Sequence, residues 1–329
     1  MRSFDYVRAS DAASAIHASN GAAQFLAGGT TLLDLMKLDV MRPSTVVDVN
    51  DLRVQFGQIA SDASGLHLGA FVSMHEAAEH AEVRRGYPVI AQSLQLAASA
   101  QIRNMATLGG NVLQRTRCSY FRDPSWSACN KRNPGSGCAA MAGVNRKHAV
   151  LGTSNACIAT YPGDFAQALI ALDAAVDIVG ANGPRVIRFE DLHVTPGSTP
   201  ERETNLAQGE LITGFTVPAH PWTRRSLYLK VRDRQSYEFA LASAAIALDL
   251  DGKVVREARI ALGGVATKPW RAREAEAALK GRPIDEAAAK RAADAAFANA
   301  VTHGENTYKP RLGRRTLVRA LLQAIAMEV

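Results

Sequence analysis

No run of 18 apolar residues occurs anywhere in the 329-residue chain, which excludes a membrane-spanning helix. Aromatic residues make up only 6%, too few for base-stacking platforms. The charge excess is also small: 38 Lys and Arg against 31 Asp and Glu, a formal +7. That is a mildly basic surface, not a nucleic-acid grip. The opening residues, MRSFDYVRASDAASAIH, lack both the apolar core of a secretory signal and a twin-arginine pair, so no export signal of the chain's own is expected. No G-x-G-x-x-G with a downstream acid and no Walker sequence is present, which argues against Rossmann and P-loop nucleotide sites. With 47% hydrophobic and 21% charged residues the chain reads as globular, in one large domain or two to three smaller ones. Cysteine is missing from 289 residues. Cys118, Cys129, Cys138 and Cys157 all fall in the remaining 40.

What is present reads as mixed α and β. Ser10 or Asp11 is placed to cap a helix ending near Ser19, and residues 24–27 form a short strand. Gly28 and Gly29 follow at once, then a helical pattern through Leu32, Leu33, Leu35 and Met36, then a strand at Val46, Val47 and Val49. A strand at 66–71, a helix from Ser73 toward His80 and a longer helix over 89–100 are expected next. A helix headed by Asp164 and strands at 175–179, 185–189 and 211–217 follow. Pro218, His220 and Pro221 punctuate the chain and mark an expected domain boundary. Beyond it we expect three strands (226–232, 238–250, 254–262) and helices at 269–280, 285–300 and 313–327. No internal repeat is visible.

The cysteine window is rich in Pro, Gly and cations, and too long for an ordinary loop, which points to function. Its spacing is C-x10-C-x8-C-x18-C. Four thiolates suit one tetrahedral zinc or one [4Fe–4S] cluster, but neither the short zinc knuckles nor common ferredoxin spacings occur. The residues alone leave a cluster, zinc and neither open. The diglycines are the second feature. Gly28-Gly29-Thr30-Thr31 lies between a strand and a helix start, and Thr107 to Asn111 carries the pair Gly109-Gly110. Such turns admit a close ligand and present N–H groups to an anion such as a pyrophosphate. His75 and His80 are five apart, about 140° around a helix, so HEAAEH reads as a polar surface rather than a zinc site. Lys309, Arg311, Arg314, Arg315 and Arg319 read as a solvated helix face.

Five stretches together carry a resemblance: AGGTTLLDLMKL (27–38), IRNMATLGGNVLQRTRC (102–118), LGTSNACIATYPGDFAQAL (151–169), GELITGFTVP (209–218) and LYLKVRDRQSYEFALASAAIAL (227–248). With residues 259–266 and GENTYK (304–309), they resemble the FAD-binding subunits of the xanthine dehydrogenase/aldehyde oxidase family of molybdenum hydroxylases. Within that family the likeness is to the flavin subunits of bacterial periplasmic aldehyde oxidoreductases. The resemblance implies an α+β fold: a PCMH-type FAD-binding domain (1–221, subdomains about 1–56 and 57–221) and a C-terminal domain (222–329) of a small antiparallel sheet with helices. It implies that the cysteine window, about 115–158, is an insertion binding a [4Fe–4S] cluster through Cys118, Cys129, Cys138 and Cys157.

For FAD it implies a first pyrophosphate loop of Leu26, Ala27, Gly28, Gly29, Thr30, Thr31, Leu32 and Leu33, and a second loop of Thr107, Gly109, Gly110 and Asn111. It further implies an acidic contact at Asp164, an apolar residue against the isoalloxazine at Ile212, and a lysine near the ring at Lys230 that raises its potential. Small residues around Ala97 stand where animal members carry an aromatic. Substrate chemistry in such a heterotrimer belongs to a large subunit holding molybdopterin cytosine dinucleotide. Electrons reach this chain through a small subunit with two [2Fe–2S] clusters and leave to an external acceptor. Periplasmic residence then requires co-export with a twin-arginine partner; the cytoplasm is the alternative. The rival from another class is a non-enzymatic zinc-binding assembly subunit, and a self-sufficient flavin oxidase is disfavoured because no substrate acid–base constellation is evident.

Overall fold

The computed structural model describes residues 1–329. Its first layer is a three-stranded parallel sheet of β1 (Asp5–Arg8), β2 (Ala23–Leu26) and β3 (Thr45–Asp48) in the order β1-β3-β2. Parallel neighbours need crossovers, and two short helices supply them. The helix Ala12–Ala18 starts at Asp11, whose side chain accepts from Ser14 N–H while the Ser14 hydroxyl takes the Asp11 N–H. The helix Leu32–Lys37 joins β2 to β3 and buries Leu35 and Met36.

The second sheet is antiparallel, with β4 (Ile59–Asp62), β5 (Gly65–Gly69), β6 (Ala175–Gly180), β7 (Gly183–Arg188) and β8 (Leu211–Pro218) ordered β4-β5-β8-β6-β7. Helices between β5 and β6 pack on it. Ser73 caps the helix Met74–Glu79 in a reciprocal box with Glu76. The helix expected over 89–100 is instead two, Pro88–Gln95 and Ala100–Met105, because Ala98 turns into the left-handed region at φ 47°. Alanine is no turn signal, so the break is invisible in sequence.

The third sheet is β9 (Ser226–Val231), β10 (Ala242–Asp251), β11 (Val254–Gly263) and β12 (Trp270–Arg271), antiparallel in the order β12-β11-β10-β9. Strand β10 explains why its sequence is a continuous small-apolar run. Ala242, Ala244, Ile246 and Leu248 face the core shared with the C-terminal helices, while Ala245 and Ala247 face the core of the N-terminal layers. Alternation along a strand buried on both sides leaves one polar residue between 242 and 248, Ser243, whose hydroxyl bonds the Tyr228 hydroxyl. The Pro218–Pro221 punctuation begins at the last residue of β8 and leads toward β9. The last helix, Lys309–Ile325, begins earlier than expected. It also corrects the solvated-face reading: Arg311, Arg315 and Arg319 are exposed, but Lys309 is wholly buried and Arg314 pairs with Asp294.

Candidate functional site

The first diglycine turn sits at the carboxyl end of β2. Gly29 adopts φ 70°, which a side chain disfavours. Leu33 N–H bonds Gly29 O and Leu35 N–H bonds Thr31 O, but the N–H groups of Gly29, Thr30, Thr31 and Leu32 donate to no backbone acceptor. Free, half-buried N–H donors of this kind suit an anion. Gly28 serves a different purpose. A Cβ there would lie 1.9 Å from the Met105 carbonyl oxygen, so this glycine lets the first turn rest directly on the chain leading into the second.

The second turn caps the short helix Leu108–Val112. Its own N–H groups are already used: Leu108 donates to Val72 O, Gly109 to Ala70 O, Gly110 to the Thr107 hydroxyl and Asn111 to Thr107 O. It is therefore not a second N–H cradle, contrary to the sequence expectation. It offers instead a wall without side chains and Asn111, whose buried Oδ1 has no partner.

The turns meet where two chambers join. One, about 1010 Å³, is lined by Phe25, Val49, Leu211 and Ile212 together with residues 27–32, Thr107, Gly109 and Gly110. The other, about 1310 Å³, is lined by Asn111, Asp164, Arg117, Arg234, Tyr237 and Phe239 among others, and Ala97 and Ala98 are in its wall. Thr30, Thr31 and Gly110 belong to both. A long ligand with a central anion fits that plan. Not every expected contact reaches the walls. Leu26 and Leu33 pack beneath Gly29. Ile212 lies in the first chamber and Asp164 in the second. Lys230 lies behind Asp164, its ammonium 2.7 Å from Asp164 Oδ2 and 3.1 Å from Leu96 O. Tyr228 donates its hydroxyl to Asp164 Oδ1 at 2.6 Å. The lysine charge expected to act on a flavin ring is thus matched by a carboxylate.

The four thiols converge although 39 positions separate the first from the last. Cys118, Cys129, Cys138 and Cys157 line one small, tight pocket with Tyr120, Phe121, Asn130 and Lys131, and none is in a disulfide. No three His, Cys, Asp or Glu side chains close into a site for a single ion. Backbone N–H groups point at the sulfurs: Tyr120 and Phe121 at Cys118, Ala140, Met141 and Ile158 at Cys138, and Ala159 at Cys157 at 3.4 Å. Hydrogen bonding from Cys157 brings the Cys138 thiol down to about 6, and the same bond, with burial, raises Cys157. Burial pushes Cys118 up to about 11. His148 Nε2 lies 3.2 Å from Cys118 Sγ.

Residues 115–158 contain seven Lys and Arg and one acid, Asp123, a net of 7 − 1 = +6 of the chain's +7. Their partners are acids from elsewhere. Arg115 and Lys131 hold Glu203, each at 2.7 Å; Arg117 and Arg122 hold Asp34 at 3.2 and 2.9 Å; Arg146 holds Asp233 at 2.8 Å. Burial alone would raise Glu203, but the two cations outweigh it and hold its carboxyl below the usual range. Sequence reasoning saw the cations and missed Asp34 and Glu203, because lone acids in ordinary context carry no local signal.

Residues 2–220 match the family described as FAD binding domain in molybdopterin dehydrogenase, and residues 227–324 match the CO dehydrogenase flavoprotein C-terminal domain. The chain is 46% identical to the aldehyde oxidoreductase FAD-binding subunit PaoB of Escherichia coli K12 over 329 residues, 99% of both chains. It is 27% identical to the glyceraldehyde dehydrogenase medium chain of Sulfolobus acidocaldarius, over 86% of this chain and 83% of that one. A solved carbon monoxide dehydrogenase from Hydrogenophaga pseudoflava superposes with a TM-score of 0.77 at 25% identity, covering 99% of this chain and 98% of that one. The chain belongs to the family of FAD-binding subunits of molybdenum hydroxylases, and is an oxidoreductase subunit.

Proposed function

We propose that this chain is the electron-transfer subunit of a molybdenum-containing aldehyde oxidoreductase, holding FAD across the two glycine turns and a [4Fe–4S] cluster in the cysteine pocket. The carrying observation is the set of unpaired N–H groups at Gly29–Leu32 where the two chambers join. They would neutralise a pyrophosphate, and the 46% likeness to an aldehyde oxidoreductase FAD-binding subunit supports the reading. Bound FAD supplies exchange between two-electron and one-electron partners. The chain's residues bind and orient it. Phe25, Val49 and Ile212 give one end an apolar bed. Asn111 Oδ1 is an unused acceptor for the other end, and Asp164, kept in place by Lys230 and Tyr228, presents its carboxylate there.

We assign the cysteine pocket to a cluster rather than to zinc. The four thiols line one pocket, with backbone N–H groups directed at Cys118, Cys138 and Cys157 and the Lys131 cation acting on Cys157, surroundings that suit thiolate ligands to an anionic centre. The partners in this proposal are a large molybdenum-cofactor subunit and a small subunit with two [2Fe–2S] clusters, with an external acceptor taking the electrons. The relatives' names as FAD-binding subunit and medium chain fit such an assembly. No helix is long and apolar enough to cross a membrane. Periplasmic residence, by co-export with a twin-arginine partner, completes the proposal. Purification of the complex, with flavin and iron counted per copy of this chain, tests it. One FAD and eight irons are expected, four from this chain and four from the small subunit's two [2Fe–2S] clusters; four irons in all, or zinc in place of this chain's four, contradicts the cluster.

A further inference from the structure

The stretch 303–309 lines neither cofactor wall, yet it is fastened to one short piece of the insertion. Asn145 and Glu305 exchange bonds: Asn145 N–H donates to Glu305 Oε2 at 3.2 Å, and Glu305 N–H to Asn145 Oδ1 at 2.9 Å. Tyr308 donates its hydroxyl to Arg146 O at 3.2 Å. Lys309, wholly buried, donates to Lys147 O at 3.0 Å and to Gly264 O at 2.6 Å. Asn306, equally buried, donates to Ala149 O at 3.0 Å. Residues 145, 146, 147 and 149 are therefore each tied to the C-terminal domain, and His148 N–H bonds Asn145 O at 2.9 Å. Two buried polar side chains committed to loop carbonyls are costly to arrange, so the loop they fix needs a defined position. What it positions is the His148 ring, 6% exposed, with Nε2 3.2 Å from Cys118 Sγ.

We propose that His148 is a positioning residue for the iron–sulfur centre: its Nε2–H donates to the Cys118 sulfur and raises the centre's reduction potential, and residues 303–309 are the brace that holds it there. The inference rests on the reading that Cys118 ligates a cluster. A ligated thiolate carries no proton, so the hydrogen in this contact comes from the imidazole. Nδ1 makes no well-aligned hydrogen bond, although the Asn145 carbonyl lies near the ring, so the proton is assigned to Nε2 against that carbonyl's pull. An N–H bond to a ligand sulfur withdraws charge from it and favours the more negative, reduced cluster. Cys138 and Cys157 are approached by backbone N–H groups, which no side-chain substitution removes. His148 is the adjustable donor of the set.

The test is a redox titration of the intact complex, followed by the EPR signal of this cluster, for wild type, His148→Phe and His148→Gln. His148→Phe should keep its four irons and titrate at a lower potential. His148→Gln, which retains an N–H donor, should lie closer to wild type. Asn306→Ala, which loosens the brace without touching the ring, should move the potential the same way by less; an unchanged value there removes the brace from the inference. A wild-type potential in His148→Phe overturns the hydrogen bond. Should His148→Phe lose the cluster, pulsed EPR of the wild-type complex labelled with ¹⁵N-histidine decides. A weak nitrogen coupling, transmitted across the hydrogen bond, supports the proposal. No coupling, or the strong coupling of a directly bound nitrogen, overturns it. A wild-type complex with no iron–sulfur signal from this chain removes the cluster reading itself, a different outcome from a cluster that ignores His148.

Discussion

Lys230 Nζ lies 2.7 Å from Asp164 Oδ2, with the lysine side chain 1% and the aspartate 4% exposed. The pair spans two parts of the molecule, since Asp164 heads the helix Phe165–Ala171 and Lys230 is in β9. Asp164 faces the larger chamber and Lys230 stands behind it. Removing one partner strands the other charge in low dielectric. Lys230→Met should cost roughly 3–5 kcal/mol of stability, and the double variant with Asp164→Asn should recover part of it. Denaturant unfolding of the two variants checks this; equal losses in the single and double variants would contradict it.

Gly28 should tolerate nothing larger. A Cβ there meets the Met105 carbonyl at 1.9 Å, whereas at Gly86 it meets nothing within 4 Å. Gly28→Val should push the two turns apart and lose most of the bound flavin, while Gly86→Ala keeps it. Flavin absorbance per polypeptide in the purified variants is the measurement.

Cys129→Ser should lose the cluster, because three thiolates hold it poorly. The cysteine pocket and the two chambers share no thiol in their walls, so flavin content should stay near wild type. Iron and flavin assays on one sample check both halves, and unchanged iron would count against Cys129 as a ligand.

Glu203 clamps the insertion through Arg115 and Lys131, and its carboxyl titrates below the usual glutamate range. A depressed folded value means the stabilisation is present above the unfolded value, about 4.3, and fades as pH falls through the folded one. Between pH 5 and 3 the wild type should therefore lose more stability than Glu203→Gln, and melting curves at those pH values measure the difference. Parallel losses would show the clamp to be energetically idle.

Much of this was legible in the chain because the signals are local. The diglycine turns, the reciprocal cap at Ser73 and the clustered thiols each depend on neighbours in sequence. What was not legible depends on tertiary contact. Lys309 reads as one more base on a basic helix, but Lys147 O and Gly264 O draw it into the interior. The Thr107 turn reads as an anion cradle, but Val72 and Ala70 take two of its N–H groups first. Lys230 reads as a lone cation until Asp164, 66 positions away, is placed beside it.

Native mass spectrometry of the intact complex, with this chain ejected from it, tests the central claim most directly. The account predicts a subunit heavier than its 35.2 kDa polypeptide by one FAD and one four-iron, four-sulfide cluster, the second increment vanishing in Cys129→Ser. A wild-type subunit at the bare polypeptide mass, or one carrying FAD and a zinc ion, would contradict it.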